Sequence, residues 1–226
     1  MTGHQAARLF AAIDPPRAVG EQLASWAREV AGAIRAQAGP AAGTGEDFKL
    51  RLLAPETMHV TLCFLGARPP AEMQTLATAL EAFEGSIGEL ALGAPLWLPP
   101  RAPRTLALEV GDEDGLLADA QASLSDAFAQ AVDWQPERRR FRAHLTVAHL
   151  GRGKPSRRAR SGRGGSGRRD RRRGHDADRG ASSGPPLLPA TPQLSFTPTA
   201  LVLYRSWLDS EGARYEPIAT RTLDAN

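Results

Sequence analysis

The sequence predicts a fold of mixed strands and helices, arranged as two pseudo-symmetric lobes on either side of a cleft. Two observations lead to this prediction. The order strand, helix, strand occurs twice before residue 151, and the second strand of each unit carries the tripeptide His-x-Thr, at residues 59–61 and 144–146. β-Branched and aromatic residues alternate with others around both tripeptides, which is typical of strands. The two motif strands are therefore expected to face one another.

The first unit begins with a short strand at Arg8–Ile13, ended by Asp14-Pro15-Pro16. An Asp followed by proline is a favourable entry to a helix, since the carboxylate caps it and proline fits its first turn. Apolar residues then recur every three or four positions and predict an amphipathic helix to about residue 37; they are Val19, Leu23, Trp26, Val30 and Ile34.

A loop at Gly39–Gly45 and a strand at Phe48–Leu53 lead to the first motif strand, within Met58–Gly66. Gly66 and the Pro69-Pro70 pair end that strand. A second helix is predicted from four apolar positions, which are Met73, Leu76, Leu80 and Phe83.

The second unit repeats this order after a strand at Leu90–Leu98 and a turn at Pro99–Pro103. Its predicted elements are a strand at Thr105–Val110, a helix through Leu117, Ala120, Leu124 and Phe128, and the second motif strand at Phe141–Leu150. The acidic residues before the helix favour its N-terminus.

Residues 151 to about 192 break this pattern, because Gly, Ser, Arg and Pro dominate and no apolar periodicity is present. We predict a disordered insertion within one domain that spans residues 1–226. Strands at Thr199–Ser206 and Arg214–Ala219 follow, joined by a turn at Asp209–Gly212.

The positive charge of the chain is concentrated in that insertion. Residues 152–179 contain eleven Arg and one Lys but three Asp, so the rest of the chain carries 16 basic and 22 acidic residues. The basic balance is thus weak evidence for nucleic-acid binding by the folded body. One cysteine excludes an internal disulfide framework, and without a long apolar run we expect a cytoplasmic protein with no membrane contact.

The paired His-x-Thr strands are the strongest candidate for chemistry. Side chains two apart on a strand point the same way, roughly 7 Å apart, so His59 lies beside Thr61 and His144 beside Thr146. A phosphate oxygen can accept a hydrogen bond from a Thr hydroxyl while an imidazole moves a proton. Two imidazoles can hold opposite protonation states near neutral pH, so one can accept a proton while the other donates.

Other candidate sites are weaker. Cys63 shares a face with His59 by strand parity, but about 13 Å of strand separates them, so we interpret it as a small packed residue. The sequence contains no pattern typical of a metal site, and no cofactor is expected. Gly162–Gly167 matches the dinucleotide-binding glycine pattern, but it follows no strand and opens no helix.

Four blocks of the sequence together resemble the 2H phosphoesterase superfamily, and within it the RNA 2′,3′-cyclic phosphodiesterases once called 2′-5′ RNA ligases. The blocks are Arg8–Asp14, His59–Gly66, Phe141–Thr146, and Leu201–Ser206 with Gly212–Tyr215. The resemblance covers most of the chain outside residues 151–192. It implies a bilobal α+β fold, in which two antiparallel sheets flanked by helices line a central groove.

The resemblance also implies metal-independent hydrolysis of an RNA or nucleotide 2′,3′-cyclic phosphate end to a 2′-phosphate, with no obligate protein partner. His144 would be the proton acceptor that activates water, and His59 the donor to the departing 3′ oxygen. Thr61 and Thr146 would hold the phosphoryl oxygens. Two alternatives stay open: joining of RNA ends by the reverse reaction, and non-catalytic RNA binding through the Arg-rich segment.

The chain departs from the family pattern at one site position. Relatives often carry an arginine five residues after the second motif His, where this sequence has His149. By strand parity we expect His149 to face away from His144. Arg142, which shares the face of His144, and Arg205 are the candidates to bind phosphate in its place.

Overall fold

The structure, a computed structural model, describes residues 7–38, 49–151, 187–208 and 213–223. Nine strands lie at Ala7–Ile13 (β1), Lys49–Leu52 (β2), Val60–Arg68 (β3), Leu90–Leu98 (β4), Thr105–Gly111 (β5), His144–Gly151 (β6), Ser195–Phe196 (β7), Ala200–Leu208 (β8) and Ala213–Thr222 (β9). Three α-helices lie at Arg17–Ala38 (α1), Pro70–Glu81 (α2) and Leu116–Ala131 (α3), and a 3₁₀ turn at Pro55–Thr57. The predicted α+β class is confirmed.

The strands form one antiparallel sheet in the order β7-β4-β5-β6-β3-β1-β8-β9, and β2 pairs with the end of β6. The two predicted sheets are thus joined, through a single residue pair between Val60 of β3 and Leu145 of β6. The strand order is symmetric about this joint: each motif strand pairs next with the strand that opens its own unit, β1 for β3 and β5 for β6. The repeat read from the sequence is therefore a repeat of sheet topology.

The helices form where the apolar periodicity predicts them. All five predicted apolar positions of α1 and all four of α3 are buried. The acidic turn before α3 provides its cap, because the Asp112 carboxylate accepts hydrogen bonds from the backbone N–H groups of Leu117 (3.0 Å) and Ala118 (2.9 Å). The buried side chains of both halves form one continuous core, so both motif strands pack against the same core.

Some boundaries differ from the predictions. β6 begins at His144 rather than at Phe141, and β9 extends over Ala213–Thr222. The predicted loop at Gly39–Gly45, the turn at Asp209–Gly212 and nearly all of the predicted insertion, including the Arg-rich segment, lie outside the described residues. Within the described ranges, no helix is long and apolar enough to cross a membrane.

Candidate active site

His59 lies between the 3₁₀ turn and β3, and one ring nitrogen is held by the backbone of that turn. Its Nδ1 is 3.0 Å from the carbonyl oxygen of Thr57. Because a carbonyl oxygen only accepts, Nδ1 carries the proton and donates. In the neutral ring Nε2 therefore has the free lone pair that proton transfer requires.

His144, the first residue of β6, is held in the same way. Its Nδ1 is 2.9 Å from the carbonyl oxygen of Arg142, again two residues earlier in the chain. Both motif histidines therefore have the same tautomer, fixed by the same local geometry.

The joint between β3 and β6 brings the four motif side chains to one face of the sheet. Val60 and Leu145 pair directly and are fully buried. Continued by one residue either way, this antiparallel register places His59 opposite Thr146 and Thr61 opposite His144. All four side chains are partly exposed, on the side away from the buried pair.

A β-bulge follows the threonine in both motif strands. In β3, Thr61 pairs with Ala12 and Cys63 with Ala11, which leaves Leu62 as the extra residue. In β6, Thr146 pairs with Ala107 and Ala148 with Leu106, which leaves Val147 as the extra residue. An extra residue reverses the strand parity beyond it. The bulges therefore change which side chains face the site.

The bulge in β6 makes one prediction wrong. His149 does not face away from His144: it pairs with Thr105, which shares its face with Ala107, the partner of Thr146. The Nδ1 of His149 lies 3.3 Å from the Thr105 hydroxyl. His149 thus belongs to the same face as His144 and Thr146.

The bulge in β3 has the opposite effect on Cys63. Strand parity predicts that Cys63 shares the face of His59, and this is wrong because the extra residue turns Cys63 to the core. Its Sγ lies 3.3 Å from Ser125 Oγ on α3, and burial raises the pKa of the thiol to about 11. A buried thiol with a raised pKa is a poor nucleophile.

Aromatic rings enclose His59. Its ring stacks on Phe10, with 4.8 Å between the ring centres, and meets Tyr215 edge-on at 5.2 Å. Tyr204 stacks on Phe10 in turn, at 5.3 Å. The Tyr204 hydroxyl donates to Asp14 Oδ2 at 2.5 Å. Burial lowers the pKa of His59 to about 4; the bond to the Thr57 carbonyl opposes this shift, and the positive charges of His144 and His149 add to it.

The surroundings of His144 are open and charged. Glu109 lies opposite His144 on β5 and forms an ion pair with Arg142. His144 lines a cavity of about 490 Å³, and His59 lines a neighbouring cavity of about 230 Å³. Thr61 and Phe64 line both cavities, so the two halves of the site adjoin. In the part of the chain that the structure describes, no group of three or more His, Cys, Asp or Glu side chains could hold a metal ion.

Solved structures share this architecture. Escherichia coli LigT complexed with 3′-AMP is 22% identical, with 97% of this chain and 99% of that chain covered and a TM-score of 0.62. The protein TT0787 of Thermus thermophilus is 20% identical, with 96% and 97% covered and a TM-score of 0.61. A third solved structure, described as a phosphoesterase, is 22% identical, with 97% and 99% covered and a TM-score of 0.61. The chain has the LigT-like 2H fold. No protein-family model and no curated protein matches the sequence.

Within the 2H fold, the structure separates the two arginines that the sequence offered for phosphate. Arg142 is near His144 but is paired with Glu109. Arg205 pairs with the buried Leu9 on β1, so it lies on the opposite face of β8 from Tyr204, and its guanidinium stacks on Trp207 at 5.4 Å. Neither arginine stands free beside the motif threonines.

Two neighbours of the candidate site were missed from the sequence. Tyr215 contacts His59 from β9, and Arg51 lies beside His149 because β2 pairs with β6. The alternation of Leu50, Arg51 and Leu52 does show that Arg51 faces away from the core, but which strand it joins depends on long-range pairing.

Proposed function

We propose that the chain hydrolyses 2′,3′-cyclic phosphate ends of RNA or nucleotides to 2′-phosphates. The observation that carries this proposal is the matched pair of histidines, each with Nδ1 bonded to a carbonyl two residues earlier and each beside a threonine on one face. Escherichia coli LigT, which has the same fold, has been crystallised with 3′-AMP and with NADP+. Both ligands are nucleotides, which supports a nucleotide-like substrate.

The proposed reaction needs two proton transfers. His144 Nε2 accepts a proton from water as the water oxygen bonds to phosphorus, and His59 Nε2 gives a proton to the 3′ oxygen as its bond to phosphorus breaks. The hydroxyls of Thr61 and Thr146 donate to the non-bridging oxygens and stabilise their charge in the transition state. The two histidines exchange protonation states in each turnover, so the proton balance closes with bulk water.

The lowered pKa of His59 constrains this assignment. In the empty site His59 is neutral near pH 7, so it cannot donate before the substrate binds. A bound phosphodiester places a negative charge beside the ring and raises its pKa. His59 therefore takes up its proton as the anionic substrate binds. Because burial disfavours the charged imidazole, the ring then gives up that proton readily.

The test is a product assay with 2′,3′-cyclic AMP and a short RNA with a cyclic phosphate end, in EDTA. We expect a 2′-phosphate as the single product, identified by ³¹P NMR against 2′- and 3′-phosphate standards. No hydrolysis, or a 3′-phosphate, contradicts the proposal.

The same protein can be tested for the two alternatives. RNA halves with cyclic phosphate and 5′-hydroxyl ends would yield a 2′-5′ linkage if end joining is the activity. Deletion of residues 152–180 should leave cyclic phosphate hydrolysis intact; loss of RNA binding in a protein without hydrolysis would favour the non-catalytic binding function instead.

A further inference from the structure

The candidate site has two hydroxyl donors for a phosphate but needs a cation to balance the anion. Charge-assisted bonds from arginine are the strong contacts to phosphate, since its planar fork fits two oxygens. Arg142 is already paired with Glu109, and Arg205 lies on the other face of its strand. Arg8 lines the His59 cavity, and its guanidinium lies over the Phe64 ring at 5.4 Å. The part of the face around Thr146 therefore needs another source of positive charge.

Arg51 stands on that face. In the pairing of β2 with β6, Arg51 lies directly opposite His149, and Leu50 and Leu52 on either side of it pack against the core. Directly opposed residues of an antiparallel pair point the same way. The bulge at Val147 turns His149 to the face of Thr146, so Arg51 shares that face too.

The spacing places Arg51 within reach of a phosphate over Thr146. Without the extra residue Val147, His149 lies two strand positions beyond Thr146, roughly 7 Å away. That is the same separation as between Thr146 and His144 on the other side. An arginine side chain opposite His149 extends far enough to reach the space between Thr146 and His149.

The positive charge of Arg51 affects the pKa values of two groups at the site, and Arg51 forms no ion pair with another described residue. Burial lowers the pKa of His149, and the positive charge of Arg51 lowers it further. Burial raises the pKa of the Tyr215 phenol, and Arg51 opposes that shift from across the groove. None of the ion pairs between described residues includes Arg51.

We propose that Arg51, placed by its pairing with His149, is the arginine that binds the substrate phosphate in this chain. His149 is a positioning residue, which packs beside the Arg51 stem and holds the guanidinium over Thr146. This inference rests on the proposed function for the identity of the phosphate, but the contact itself requires only a phosphate monoester or diester.

Binding of 2′-AMP, the expected product of 2′,3′-cyclic AMP hydrolysis, tests the contact without turnover. We expect Arg51→Gln to weaken 2′-AMP binding by roughly 10- to 100-fold and to leave the weaker binding of adenosine unchanged, as measured by calorimetry. Arg51→Lys should lie between the two, because it keeps the charge and loses the fork. Arg28→Gln, on the exposed side of α1, is the matched control and should bind like the unaltered protein.

A double variant separates a binding role from a structural one. Because residues 51 and 149 are directly opposed on one face, Arg51→Gln with His149→Arg moves the guanidinium across one strand spacing. We expect it to recover most of the lost affinity for 2′-AMP and to lower the raised KM for 2′,3′-cyclic AMP. Melting temperatures of the single Arg51 variants should stay within a few degrees of that of the unaltered protein, since Arg51 is exposed.

The outcomes distinguish this inference from the proposed function. Hydrolysis of 2′,3′-cyclic AMP with the same KM in Arg51→Gln overturns the inference and leaves the function standing. Phosphate-dependent, Arg51-dependent binding without hydrolysis supports the inference and overturns the function. No preference of the unaltered protein for 2′-AMP over adenosine overturns the inference as well.

Discussion

The two halves of the site hold the same motif in different surroundings. His59 and His144 have the same tautomer, the same two-residue spacing to a threonine and the same bulge after it. His59, however, packs among the rings of Phe10, Tyr204 and Tyr215, whereas His144 faces Glu109 and an open cavity. Local geometry therefore equips both rings for proton transfer, and only their environments distinguish them.

A reaction that uses one histidine as the acid and the other as the base needs the two rings to differ, and the surroundings of His59 and His144 differ in solvation. A ring enclosed by aromatic groups loses hydration of its charged form, so its protonation depends on what else is bound. Two identical histidines would titrate together, and a reaction that needs one acid and one base would then have few molecules in the productive state.

The largest expected effect tests whether the two halves act as one unit. We predict that His59→Ala and His144→Ala each reduce kcat for 2′,3′-cyclic AMP by roughly 10² to 10⁴. The double variant should be only slightly worse than the less active single variant, because a missing acid leaves little for the base to contribute. The measurement is single-turnover kinetics, with circular dichroism to verify folding. Full activity in either single variant, or a double loss equal to the product of the single losses, would contradict a concerted pair.

Sequence reasoning predicted the motif strands, the helices and the repeat of strand, helix and motif strand in the two halves, because each depends on a local pattern. The helical stripe of α1 and the alternation around Thr61 and Thr146 are such patterns. The positions of Cys63 and His149 could not be predicted in the same way. A bulge is set by how one strand registers with its neighbour, and one extra residue reverses every later side chain.

The same limit explains why Arg51 was missed. β2 has four residues, and nothing within them shows that they pair with the end of β6 rather than with the neighbouring β3. Tyr215 is a similar case, since its contact with His59 depends on the order of four strands across the sheet. In each case the decisive information lies in pairings distant in sequence.

A second, smaller effect concerns the desolvated half alone. The pKa of His59 is about 4 in the folded protein and near 6.5 when unfolded. The unfolded chain therefore binds a proton first as the pH falls, so the stability from this residue is complete above about pH 6.5 and is lost progressively towards pH 4. We predict that unfolding free energy falls between pH 7 and pH 4 by roughly 3 kcal/mol more in the unaltered protein than in His59→Phe.

His59→Phe suits this comparison because a phenyl ring can take the same stack between Phe10 and Tyr215 without titrating. Urea denaturation at four pH values between 4 and 7 gives both curves. Parallel curves would mean that His59 titrates in the folded protein as it does in the unfolded chain, and would contradict its desolvation.

The smallest effect compares a polar contact from each half. Tyr204→Phe removes the hydroxyl bonded to Asp14, a carboxyl whose pKa burial raises despite that bond. Asp14 lies at the surface, where water can replace the lost partner, so the cost should be about 1 kcal/mol. Glu109→Gln breaks the Arg142 ion pair, whose side chains are 61% and 41% exposed, so the cost should stay below about 1 kcal/mol. Urea denaturation at pH 7 measures both, and added salt should reduce only the second. An equal cost for the two variants, or a salt dependence of the first, would mean that the His59 side is as hydrated as the His144 side, and the contrast between enclosed and open halves would not hold.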